Sequence, residues 1–144
     1  HAGFRSLVLE SEFENLGREP MPLHFGFHPY FLVTDAEKPR TRVSIPARSR
    51  LDNHTGERGE WNGVIDYSAS IQDLHLSDLF AQTATLDIPG KPRRTLTWSE
   101  DYTQIVVWTT ALKDFLCIEP WSGPAPSTMP TACARKIETI ETRW

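Results

Sequence analysis

Residues 104–124 read QIVVWTTALKDFLCIEPWSGP. Two runs rich in Val, Ile and aromatic residues, 104–110 and 114–120, flank a short connection at 111–113. That composition is the signature of paired β-strands. The second run ends unusually, because the apolar stretch 115–118 meets Glu119, then Pro120 and Trp121. A carboxylate closing a buried strand is costly to desolvate unless it is paired or used. Burial would also lift its pKa toward the range of a general base. The alternative is that Glu119 simply emerges into solvent as the strand ends.

Strand character recurs on the N-terminal side. FRSLVLESEFEN, 4–15, alternates Leu7, Leu9 and Phe13 against Ser6, Glu10, Glu12 and Glu14, the period of a half-buried strand. Asn15, Gly17, Pro20 and Pro22 mark a loop. LHFGFHPYFLV, 23–33, predicts a strand, RVSIPA, 42–47, a short one, and ATLDIPG with RRTLTWSE, 84–90 and 93–100, a hairpin. RSRLDNHTGERGEWNG, 48–63, reads as loop from its glycines and Asp52-Asn53. IQDLHLSDLFAQT, 71–83, with apolar residues at 71, 74, 76, 79 and 80, reads as a helical turn or irregular segment. WSGPAPSTMPTA, 121–132, is prolyl loop, and RKIETIETRW, 135–144, a last strand. Many short strands and hardly any helical period predict an all-β antiparallel sandwich.

A chain of 144 residues can bury a real core as one domain. Its 39% hydrophobic and 24% charged residues and formal charge of −4 fit a soluble protein. Basic residues are scattered at Lys38, Arg40 and Arg42 and at Lys91, Arg93 and Arg94, which argues against nucleic-acid binding. No apolar run approaches the roughly 18 residues that span a bilayer, and no signal-peptide pattern is visible. Two cysteines, Cys117 and Cys133, make no disulfide framework, and a cytoplasmic setting is expected. Cys117, inside an apolar run, reads as a small buried residue. The chain opens at His1 on what already reads as a strand, so 1–144 is expected to be one partial domain.

Two histidines stand in the 23–33 run, His24 and His28. Pro22, Gly26 and Pro29 oppose a helix there. In an extended strand the pair shares a face, but four residues at ~3.3 Å each part the Cα atoms by about 13 Å. One metal needs both ligand nitrogens at about 2 Å, so this pair predicts no metal site. His28 precedes Pro29, which holds it in extended geometry, and Phe27, Tyr30 and Phe31 are placed to wall a pocket. A histidine hydrogen-bonded to backbone is the plainer reading. Trp121 and Trp61 are candidate sugar-stacking faces, although most tryptophans are core. Asp78 and Asp52 are candidate polar contacts or turn formers. His54 and His75 fit no pattern.

Taken together, PMPLHFGFHPYF at 20–31, SIPARSRLDNHTGE at 44–57, LSDLF at 76–80 and the 104–124 stretch resemble four ordered motifs. They are those of the C-terminal half of the aldose 1-epimerase (galactose mutarotase-like) family. The resemblance implies a supersandwich of antiparallel sheets and a reaction that interconverts the α and β anomers of an aldose, with no cofactor and no metal. It implies that Glu119 takes the proton from the anomeric hydroxyl and that His28 gives one to the ring oxygen. Ser77 aligns with the family's sugar-binding aspartate and Asp78 stands beside it, so either would take that place. Tyr30 and Trp121 would complete the substrate contacts. The implied partner is a small aldose or sugar phosphate, with a separate N-terminal half chain or a homodimer covering the exposed strand edges. Nucleic acid and membrane are not implied. The competing reading is a carbohydrate-binding or regulatory chain whose catalytic site is incomplete.

Overall fold

The computed structural model describes residues 6–18, 23–123 and 136–143, the last without side chains. Its strands are β1 (Ser6–Phe13), β2 (Tyr30–Phe31), β3 (Arg42–Ser44), β4 (Ser49–Asp52), β5 (Arg58–Glu60) and β6 (Ile71–Ser77). They continue with β7 (Thr83–Asp87), β8 (Arg94–Trp98), β9 (Gln104–Thr110), β10 (Leu116–Trp121) and β11 (Lys136–Arg143). One 3-10 turn, Lys38–Arg40, interrupts them, and no α-helix occurs among the described residues. Every pairing is antiparallel.

The strands form two sheets, β1-β11-β8-β7-β3 and β2-β10-β9-β6-β4-β5. Period-2 patterning fixes which side of each sheet is dry. Leu74 and Leu76 of β6, Ile105 and Val107 of β9, and Leu116 and Ile118 of β10 turn to one side of the six-stranded sheet. There they join Ala84, Leu86, Leu96 and Trp98 of the other sheet in one buried cluster. The opposite side of the six-stranded sheet is left for polar and aromatic residues, and the site lies there.

Several sequence expectations change. The 48–63 stretch holds β4 and β5, paired as a hairpin with Ser49 opposite Glu60. Of its glycines only Gly56, with φ +78°, sits in the connecting turn, while Gly59 lies within β5 and Gly63 beyond it. The 71–83 stretch contains a strand, β6, because Leu74 and Leu76 alternate with Asp73, His75 and Ser77; the apolar 79 and 80 lie beyond it. Trp121 closes β10 rather than opening a loop. The 84–100 hairpin pairs as expected, with Ala84 opposite Leu96. Residues 124–132 of the expected prolyl loop, Cys133, and residues 19–22 of the expected earlier loop lie outside the described residues.

The 23–33 run is a strand only at Tyr30–Phe31, with one isolated bridge from Gly26 to Trp121. Prolines are the physical reason. Tyr30 opposes Cys117, Phe31 opposes Leu116, and Gly26 opposes Trp121, so one register runs from 26 to 31. Within it Pro29 faces Ile118 and Pro120 faces Phe27. Phe27 N–H donates to Pro120 O at 3.0 Å, but Pro120 has no N–H to return. Pro29 likewise has none for Ile118. The ladder therefore loses a hydrogen bond on each side of the pair that this register sets face to face, His28 and Glu119.

Candidate active site

Directly opposed residues of antiparallel strands project to the same side of a sheet. The register therefore lays the polar side of the six-stranded sheet out in rows. One row is His28, Glu119, Val106 and His75; the next is Tyr30, Cys117, Trp108 and Asp73. A third runs from Gly26 to Trp121 and Gln104. A non-bonded antiparallel pair brings its side chains closest, and His28 Nε2 stands 3.2 Å from Glu119 Oε1.

The two partners differ in exposure. The His28 side chain is 47% exposed and that of Glu119 2%. Tyr30 stacks on the His28 ring at 4.8 Å and 6°, and Trp108 meets its edge at 5.6 Å. Trp121 Nε1–H donates to Glu119 Oε2 at 3.1 Å. Gly26 makes room for that indole, since a Cβ there would come within 2.6 Å of Trp121 Cδ1. Glu119 Oε1 accepts no hydrogen bond; His28 is at ion-pair distance but off the line that a hydrogen bond requires. Burial pushes the Glu119 carboxyl up from 4.5 to about 7; the Trp121 N–H pulls the other way and the Asp73 charge adds to the rise. The Cys117 thiol rises to about 12, first by burial and then by the Glu119 charge. This arrangement can do acid–base chemistry: a buried carboxylate that titrates near neutrality beside a solvent-facing imidazole.

Asp73 and His75 complete the surroundings, two strands from Glu119. His75 Nε2 lies 3.2 Å from Asp73 Oδ1, and its ring meets the edge of Trp121 at 5.7 Å. His75 and Ser77 line a cleft of about 450 Å³ with Gln104, Ser49 and Arg58. His24, Gly26, His28 and Trp121 line a second of about 260 Å³.

Of the six site residues expected from sequence, His28, Glu119, Tyr30 and Trp121 come together, and Ser77 lines the adjoining cleft. Asp78 does not line it: its backbone is left-handed, φ 55°, and its carboxylate bonds the Ser49 hydroxyl. Trp61 packs against the core, its Nε1–H donating to Ile45 O at 3.2 Å. Asp52 is a turn former, accepting the N–H groups of His54 and Thr55. His24 lies on the site side, its Nε2 2.6 Å from Gly123 O. Sequence reasoning missed Asp73, His75 and Trp108. The alternation of Asp73, His75 and Ser77 with Leu74 and Leu76 was the available signal for the first two.

No protein-family model and no curated protein sequence matches the chain. Among solved structures it is similar to the Slr1438 protein from Synechocystis sp. PCC 6803, with 31% identity and a TM-score of 0.86 over 96% of this chain and 50% of that one. It is also similar to HI1317, at 12% identity and a TM-score of 0.66 over 94% of this chain and 50% of the other. The "putative mutarotase (YeaD)" from Salmonella typhimurium matches at 16% identity and a TM-score of 0.66, over 97% of this chain and 49% of its own. The chain spans about half the length of each. No helix among the described residues is long and apolar enough to cross a membrane. The strand order, the two packed sheets and these likenesses together give the chain a mutarotase-like fold.

Proposed function

We propose that this chain carries the acid–base pair of an aldose 1-epimerase-like reaction, acting on a hexose or hexose phosphate. The observation that carries the reading is the 3.2 Å approach of an exposed imidazole to a buried, otherwise unbonded carboxylate oxygen. Glu119 takes the proton of the anomeric hydroxyl while His28 protonates the ring oxygen. The ring opens, the C1–C2 bond rotates, and closure returns both protons. Without substrate the two groups touch, so a sugar must enter between them, and His28 is the partner free to move. The indole of Trp121 offers a stacking face beside them. His75 stands two strands from Glu119, about 10 Å at the spacing of paired strands, where it meets the far hydroxyls of a hexose. No cofactor enters this scheme.

Arg42 and Arg93 line a separate cleft of about 680 Å³ that includes none of these residues. A phosphate on the sugar would therefore be held by other groups. We include in this proposal that the N-terminal half of the fold, or a second copy of this chain, supplies the remaining wall.

The test is anomeric exchange of α-D-glucose, α-D-galactose and their 6-phosphates, followed by NMR in chelator-treated buffer. Exchange above buffer that falls by about 10²–10⁴ in Glu119→Gln supports the reading. Sugar binding without faster exchange, unchanged in Glu119→Gln, overturns it in favour of a binding-only chain.

A further inference from the structure

We propose that His28, Cys117 and Glu119 form a zinc site, and that the ion shuts off the sugar reaction by occupying both of its proton-transfer groups. The inhibitory half rests on the proposed reaction; the binding half does not.

Cys117 and Glu119 are alternate residues on one face of β10, and His28 is opposite Glu119. The imidazole nitrogen, the thiol sulfur and the carboxylate oxygen all lie within 4.8 Å of one another. Tetrahedral zinc, with bonds of about 2.0–2.3 Å, sets its ligand atoms about 3.3–3.7 Å apart. The His28–Glu119 edge, 3.2 Å, already meets that demand, and the sulfur needs to close by about 1 Å to meet it. Rotation of the Cys117 side chain closes the gap, with His28 following, since it is half exposed and carried on a ladder with a hydrogen bond missing to either side. A second observation points to the same place: Glu119 Oε1, buried beside the other two donors, accepts no hydrogen bond. Metal coordination gives that atom a partner.

The donor set selects the ion. Nitrogen, sulfur and oxygen together suit zinc, whereas magnesium and calcium take oxygen. Binding forms Zn–Nε2, Zn–Sγ and Zn–Oε1 bonds. Cys117 releases its proton to solvent, His28 keeps its proton on Nδ1, Glu119 binds as the carboxylate, and no electron is transferred. Three protein ligands leave a fourth position for water on the exposed side of His28.

The experiment is titration of the full chain with Co²⁺, read by absorption, and with Zn²⁺ against a chromophoric chelator. Both are done in a Cys133→Ser background, so that Cys117 is the sole thiol. The expected result is one equivalent bound, with a thiolate-to-cobalt charge-transfer band and tetrahedral visible bands. Cys117→Ser loses the charge-transfer band, and His28→Gln, a change at a half-exposed side chain that leaves the core intact, weakens zinc binding about tenfold or more. A missing band in the parent, or unchanged zinc affinity in His28→Gln, overturns the site whether or not the chain acts on sugars.

Discussion

A buried carboxyl that titrates near neutrality ties activity and stability to the same proton. As the base of the proposed reaction, Glu119 would work ionised, so kcat/KM in chelator is expected to rise with pH through about 7. Asp73 contributes to the rise through its charge. Asp73→Asn therefore moves that limb to lower pH, which a pH–rate profile of the two proteins checks. Stability runs the other way. The folded chain holds the Glu119 proton more tightly than the unfolded chain does, so the contribution is complete below pH 4.5 and is lost as pH rises through about 7. At 1.36 kcal/mol per unit, the loss is about 3 kcal/mol. Glu119→Gln abolishes it, and denaturant melts of both proteins at pH 5 and pH 8 measure the difference. Of the site's residues, His28 and Glu119 each stood out in the sequence as a titratable residue directly before a proline in an apolar run, but the resemblance, not that pattern, gave them their proposed roles. His75 was not, because a histidine in a run of mixed polarity carries no signal until the strand period of 71–77 is recognised.

At the scale of the element, β10 is the spine of the site. Its outward residues Cys117, Glu119 and Trp121 and its inward Leu116 and Ile118 follow from simple alternation. The neighbouring segment approaches it closely at Gly26, where an added Cβ would meet Trp121 Cδ1 at 2.6 Å, Cγ at 2.9 Å and Pro120 O at 3.0 Å. Gly26→Ala displaces the indole and costs about 1–3 kcal/mol. It also removes the Trp121 N–H from Glu119, so the pH–rate limb shifts upward; urea melts and the same pH profile detect the two effects. Composition revealed the paired strands at 104–121, rich in Val, Ile and aromatic residues, and the 84–98 hairpin, where Thr and Leu flank the PGKPR turn. It concealed β4 and β5, whose glycines and charges mimic loop, and it overestimated 23–33. There the aromatic alternation is real, but Pro29 and Pro120 break the hydrogen-bond ladder that would have made it a full strand.

For the whole molecule, three of the exposed apolar residues fall side by side on one sheet edge. Leu7 and Val8, each 48% exposed, and Leu9, 36%, point to both sides of the edge strand β1. An edge left unpaired among the described residues, with apolar side chains on both faces, invites another polypeptide. The expected outcome is a sedimentation coefficient that rises with concentration, and its suppression by Leu7→Lys with Leu9→Lys. Glu119 and His28 also occupy unequal ground at this scale. Glu119 sits in the paired interior of its sheet, between β9 and the outer segment, and can be displaced only with the core itself. His28 hangs on the sheet's outermost segment, where the two prolines each remove one hydrogen bond of the ladder. The molecule thus has a stiff half-site and a compliant one, and the gap between them opens at a cost set by a few local contacts rather than by global unfolding. A hexose entering the site, as proposed, would work against a spring, not a wall.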